Sequence, residues 1–220
     1  MTLIVKIVNV ICGLIQKHIK MKKLLFSTLV LLSSIGFSQE KLANYNSSYF
    51  SKNFDIAASK PDAKSDFSYY IDCSSKDTSS KQASLILKNK DVTEFIEFLN
   101  SIKETYSKWS QTAKENKVTE LDKKIEYKKL NYSAAFSYGK WNFDFSVNLS
   151  TRFKIVNDKY LLIIDSDELQ SNSNQYIKSD GFRIVFSSVQ EIDELINGLN
   201  VNIVTEFYNK KNGQEDLFKN

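Results

Sequence analysis

The side chains that could do chemistry are few, and their spacing is unhelpful. Asp165, Asp167 and Glu168 stand close together and invite a calcium-loop reading. An EF-hand loop, however, needs an oxygen ligand at its fifth position and glycine at its sixth, where this chain has Leu169 and Gln170. The acids therefore read as a polar strand exit. A glycosidase needs only two carboxylates flanking one cleft, so a carboxylate-based hydrolase stays among the readings, although sequence spacing selects no pair from the 26 acids. The chain has one histidine, His18, and two cysteines, Cys12 and Cys73.

The N-terminal 38 residues change the value of those counts. Met21 to Ser38, MKKLLFSTLVLLSSIGFS, has the layout of a secretory signal peptide: Lys22 and Lys23, an apolar run from Leu24 to Leu32, then Gly36 and Ser38 at small-x-small spacing before Gln39. Cleavage is expected between Ser38 and Gln39. Residues 1–20 are apolar from Leu3 to Ile15 but too short for a spanning helix of about 20 residues, and we expect an over-extended start there.

Removing residues 1–38 removes five lysines and no acid, so 25 basic residues remain against 26 acidic ones, a net charge of −1 in place of +4. Basicity then gives no support for a nucleic-acid partner. His18 and Cys12 leave as well. Without an imidazole there is no Ser-His-Asp or Cys-His pair, and zinc and copper sites lose their usual ligands. One thiol, Cys73, forms no internal disulfide. It alternates with Phe67, Tyr69 and Ile71, so a buried structural thiol is expected. No cofactor is implied.

The expected organisation is a flexible arm or linker over residues 39–65, rich in Ser, Asn and Lys and carrying the only proline, Pro61. A single α+β domain follows over 66–211, and a disordered tail over 212–220. Asp66 to Cys73 and Ala83 to Leu87 alternate with period two and make a hairpin. Val92, Phe95, Ile96, Leu99, Ile102, Tyr106, Trp109 and Ala113 then line one helix face, with Asp91 and Glu94 placed as a capping box.

Next comes the strongest strand pattern. Leu130, Tyr132, Ala134, Phe136 and Tyr138 alternate up to Gly139-Lys140, and Trp141, Phe143, Phe145, Val147 and Leu149 alternate after it. A two-residue turn sets Tyr138 opposite Trp141 and Phe136 opposite Phe143, with every aromatic on the inner face. Asn157-Asp158 makes a second tight turn, setting Tyr160 opposite Ile155 and Leu162 opposite Phe153. Leu161 and Ile163 then point outward, where a partner or the N-terminal arm could cover them.

Ser188 and Glu191 open a second helix with the stripe Val189, Ile192, Leu195, Ile196 and Leu199. Its strand-to-helix spacing parallels that of Leu85 to Leu99, which raises a duplicated unit. The fold expected is an antiparallel sheet of about six strands with two amphipathic helices on one face.

Two function classes follow. One is a non-catalytic envelope protein acting through protein contacts, with Leu161 and Ile163 as candidate surface. The other is a carrier of a small apolar ligand, with Tyr132, Tyr138, Trp141 and Tyr160 as candidate lining, because their rings are apolar and their tips mostly polar. The signal-like start and the Lys-, Asn-, Ser- and Phe-rich composition resemble exported proteins of Gram-negative bacteria, which implies periplasm or outer surface.

Overall fold

A computed structural model describes residues 39–77 and 82–216. The signal-peptide and over-extended-start readings, Ser38 included, lie outside the described residues. The chain is α+β, with eleven strands and three α-helices among those residues. The strands are β1 Gln39–Ser47, β2 Lys52–Ser59, β3 Ser68–Ser75, β4 Gln82–Lys88, β5 Leu121–Ile125, β6 Asn131–Tyr138, β7 Lys140–Val156, β8 Lys159–Ser166, β9 Leu169–Gln170, β10 Lys178–Ser179 and β11 Phe182–Phe186. The helices are α1 Val92–Glu115, α2 Val189–Gly198 and α3 Val201–Asp216.

Six strands close into a ring in the order β3-β11-β8-β7-β6-β4, with β4 returning to β3, and every pairing is antiparallel. The hairpin β1–β2 branches from β3, and β5 adds to β7. β9 and β10 form a separate two-stranded ribbon. The main sheet has nine strands where about six were expected, because β1 and β2 lie in the segment expected to be an arm and β5 in a polar stretch with little alternation. The second helix expected is two: α2 ends at Gly198, and α3 starts at Val201.

The core gathers the inward face of the ring and the apolar stripe of α1, whose buried residues include Val92, Phe95, Phe98, Leu99, Ile102 and Tyr106. The capping box at its start is not made. Asp91 closes a 3-10 turn and its side chain caps nothing, while Glu94 pairs with Lys128 at 2.7 Å. The cap of α2 is made, with Ser188 Oγ accepting from the Glu191 N–H. Gly198 lets that helix lie against β2, since a Cβ there would sit 2.3 Å from Ile56 Cδ1.

Residues 39–65 are not a free arm. Most of them form β1 and β2, and Tyr45 and Phe54 stack at 5.4 Å in the core. Three contacts hold the end of this hairpin: Ser47 Oγ donates to the Val185 carbonyl at 2.6 Å, the Ser48 N–H to Glu191 at 3.0 Å and the Asn46 N–H to Glu194 at 2.9 Å. Short polar segments such as this leave a weak period-two pattern, so only the docking partner fixes the strand. At the other end, helix α3 continues to Asp216 where a tail was expected from 212.

Candidate functional site

The hairpin β6–β7 decides where the candidate residues go. Gly139 stands alone at its apex with φ +71°, so Tyr138 pairs with Lys140, Ser137 with Trp141 and Ala135 with Phe143. This is one residue out of the expected register. Side chains alternate between faces, so a slip of one residue turns the whole set over. Trp141, Phe143 and Phe145 are therefore 47%, 40% and 61% exposed on the outer face, while Asn142 and Asp144 are 2% and 8% exposed on the inner one.

A one-residue bulge restores the register. The pairing steps from Ala134 opposite Asp144 to Tyr132 opposite Val147, leaving Phe145 and Ser146 both to face Ser133. From Val147 onward the inward positions are apolar again apart from Thr151, and the expected two-residue turn likewise sets Tyr132 opposite Val147.

The inward polar side chains explain the slip. Asp144 accepts from the Ser146 N–H at 2.9 Å and, with its other oxygen, from the Gln170 N–H at 2.8 Å. These part-buried main-chain donors gain an acceptor from Asp144, and a phenylalanine at this position would supply none. Asn142 donates to the Lys140 carbonyl at 2.9 Å.

The four candidate carrier residues do not converge. Tyr132 is buried in the core, edge-on to Phe95 at 5.5 Å, and burial pushes its phenol pKa well up. Tyr160 is half-buried, parallel to Phe153 at 6.5 Å, with Lys114 Nζ 5.5 Å from its ring centroid. Tyr138 and Trp141 are exposed near the hairpin tip. The expectation of one aromatic lining on the inner face is corrected by the register slip.

Leu161 and Ile163 are not exposed either. They pack with Val185 into a small outer cluster, against which Phe50 and Val156 rest. Phe50 sits in the turn after β1, so the chain's own N-terminal hairpin supplies the cover. Gln39, the expected first residue after cleavage, opens β1.

The acidic run is divided among separate partners. Asp165 holds Arg183 through two bonds of 2.6 and 3.1 Å, Asp167 meets Asn148 Nδ2 at 3.5 Å, and Glu168 pairs with Lys178 at 2.7 Å. Among the described residues no three His, Cys, Asp or Glu side chains gather as metal ligands. Cys73 is buried and unpaired by any disulfide, and desolvation pushes its thiol pKa well up.

Two surface features remain. The first is the row Trp141, Phe143 and Phe145, with the last two rings near-parallel at 6.4 Å. Their cross-strand neighbours are the small residues Ser137 and Ala135, so the rings stand over a low floor. The second is an open concavity of about 670 Å³ lined by Asp144, Ser146, Glu168 and residues 170–175. β8 joins β7 only from Leu149, and beside 143–148 the chain instead places the Asn172 N–H on the Phe143 carbonyl at 2.9 Å and the Asp167 N–H on the Asn148 carbonyl at 3.3 Å.

Sequence reasoning missed both features. The signal for the second was the run Gln170 to Gln175, six consecutive amide or hydroxyl side chains. Set beside known proteins, the chain matches no family model, no curated protein and no solved structure, so its function is argued from the geometry above.

Proposed function

We propose that this chain is an exported, non-catalytic protein of the bacterial cell envelope, and that it acts by docking another protein on the row Trp141, Phe143 and Phe145. The observation that carries the reading is the outward placement of three large aromatic side chains in succession on one strand. Contiguous exposed apolar surface of this kind marks interaction sites, and Trp and Tyr dominate the energetics of protein interfaces.

Export is supported by the layout of Met21 to Ser38, and it places the partner in the periplasm or on the outer surface. The carboxylates near the concavity favour holding over turnover. Both Asp144 oxygens are engaged by main-chain N–H groups, and Glu168 faces Lys178, so neither is arranged to deliver a proton to a leaving group.

A photo-crosslinking side chain at position 145 of the full chain, expressed in its native host, tests the docking surface. A discrete adduct is expected that is absent when the crosslinker sits at exposed Glu104 on α1 and is lost when Trp141→Ser is added. The same products from both positions, or an adduct indifferent to Trp141→Ser, would remove the reading. The mass of the exported protein tests the other half, with a chain beginning at Gln39 expected.

A further inference from the structure

We propose that the concavity between β7 and the β9–β10 loop binds a neutral saccharide, at a site separate from the aromatic row. The lining itself narrows the ligand class. It is built from amides, hydroxyls and two carboxylates, chiefly Asp144, Ser146, Gln170, Asn172 and Gln175 with Glu168, and offers an apolar ligand no matching surface. Its volume of about 670 Å³ suits a small ligand or the end of a chain.

Other polar ligands fit less well. An anion would meet Asp144 and Glu168 with no cation among the lining residues, and Lys178 is committed to Glu168. A cation would meet only Asp144 and Glu168 as carboxylates, the first with a main-chain N–H already on each oxygen and the second paired with Lys178. A peptide adding as a strand would need the main-chain edge of β7, yet the Phe143 and Asn148 carbonyls and the Ser146 N–H are all taken.

What remains free is side-chain amide. Neither the Asn172 nor the Gln175 side chain has a hydrogen-bond partner among the described residues, and both are exposed into the concavity. An amide presents donors and an acceptor side by side, which matches a sugar hydroxyl that donates and accepts at once. Tyr176, the next residue after Gln175, is 85% exposed but is not part of the lining, so recognition rests on the amides.

The loop is organised before any ligand arrives. The Ser171 N–H bonds the Ile177 carbonyl at 2.9 Å, Gln170 Nε2 the Gln175 carbonyl at 3.1 Å, and the Tyr176 N–H Asn174 Oδ1 at 3.0 Å. Asn172 and Gln175 take part through their main chains alone, so their side chains can be removed without breaking the loop. A site fixed in advance loses less on binding.

The test uses the full chain on an array of immobilised neutral, sialylated and sulfated glycans, followed by solution titration of the best neutral oligosaccharide. Neutral glycans are expected to bind. The double variant Asn172→Ala/Gln175→Ala should weaken the titrated sugar about tenfold or more, as expected for losing two hydrogen bonds, with an unchanged thermal midpoint. Trp141→Ser should bind the sugar as the parent does, which separates this site from the docking surface. No neutral glycan bound, a preference for sulfated glycans, or a double variant that binds like the parent would each overturn the proposal. So would loss of binding in Trp141→Ser with retention in the double variant, since the sugar would then lie on the aromatic row.

Discussion

Strand β7 contains two halves built from the same alternation and put to opposite use. From Leu149 to Val156 it is paired by β8 on one edge and by β5 on the other over Thr151 to Ile155, and Phe153 and Ile155 are fully buried. From Lys140 to Asn148 it is paired by β6 on one edge only, and its aromatic residues face out. The half with two neighbours carries the core, and the half with one carries both candidate surfaces. The buried face switches at the bulge of Phe145 and Ser146, just before the change of neighbours at Leu149. A strand can change the face it buries without changing its pattern, provided one extra residue absorbs the parity.

The contrast predicts unequal mutational costs. Phe153 touches the rings of Tyr106, Trp109 and Tyr160, so Phe153→Ala should cost about 3–5 kcal/mol in urea unfolding. Phe145→Ser, eight positions earlier on the same strand, should change stability by no more than about 0.5 kcal/mol. Equal costs would mean that the first half is covered after all.

Asp144→Ala strikes the boundary itself. It removes the acceptor of two part-buried main-chain donors and should cost about 2 kcal/mol, within the usual range for lost hydrogen bonds to a charged group. Hydrogen exchange should show where the cost falls, with the Ser146 and Gln170 amides accelerated and those of β8 unaffected.

The two turns give a smaller contrast. Gly139→Ala puts a side chain at φ +71° and should destabilise by about 1–2 kcal/mol, although no atom lies within 4 Å of the added Cβ. At the other end of β7, Asn157 and Asp158 both have positive φ, 49° and 60°, as a two-residue hairpin turn requires. Asp158→Gly should therefore stabilise by a few tenths of a kcal/mol, roughly the relief of a left-handed non-glycine residue.

The smallest effect is alkaline. Burial pushes the Tyr106 phenol from the usual value near 10 up to about 12, and its hydroxyl donates to the Tyr160 carbonyl at 3.1 Å. The folded state thus keeps a proton that the unfolded chain releases. The associated stability is complete below about pH 10 and declines between pH 10 and 12. Tyr106→Phe should flatten that decline in unfolding midpoints measured at pH 8 and pH 11.

Legibility follows the same division. The β7–β8 hairpin was readable to the residue, with Tyr160 opposite Ile155 and Leu162 opposite Phe153, because Asn157-Asp158 admits one tight turn and both flanking strands are apolar inward. The β3–β4 hairpin, the stripe of α1 and the cap of α2 were readable for like reasons. In β6–β7 an equally strong pattern misled. Its aromatic alternation satisfied the inward register at every position, while the decisive facts were the N–H groups of Ser146 and Gln170 that Asp144 accepts. Gln170 lies 26 residues beyond Asp144.

Hairpin β1–β2 failed for the opposite reason. Its pattern is faint, and Tyr45, Ser47 and Phe50 acquire meaning only when α2 and β11 come alongside. Leu161 and Ile163 were rightly seen as outward, but the sequence offered Phe50 no address.

What the sequence determined by itself is the α+β class, the long amphipathic helix and the hairpins closed by local turns. Each depends on residues within a few positions of one another. Only the tertiary structure decided the ring closure, the identity of the exposed aromatics and the shape of the amide-lined concavity. These rest on main-chain donors seeking acceptors across distant segments, and hydrogen-bond satisfaction at that range leaves no period in the sequence.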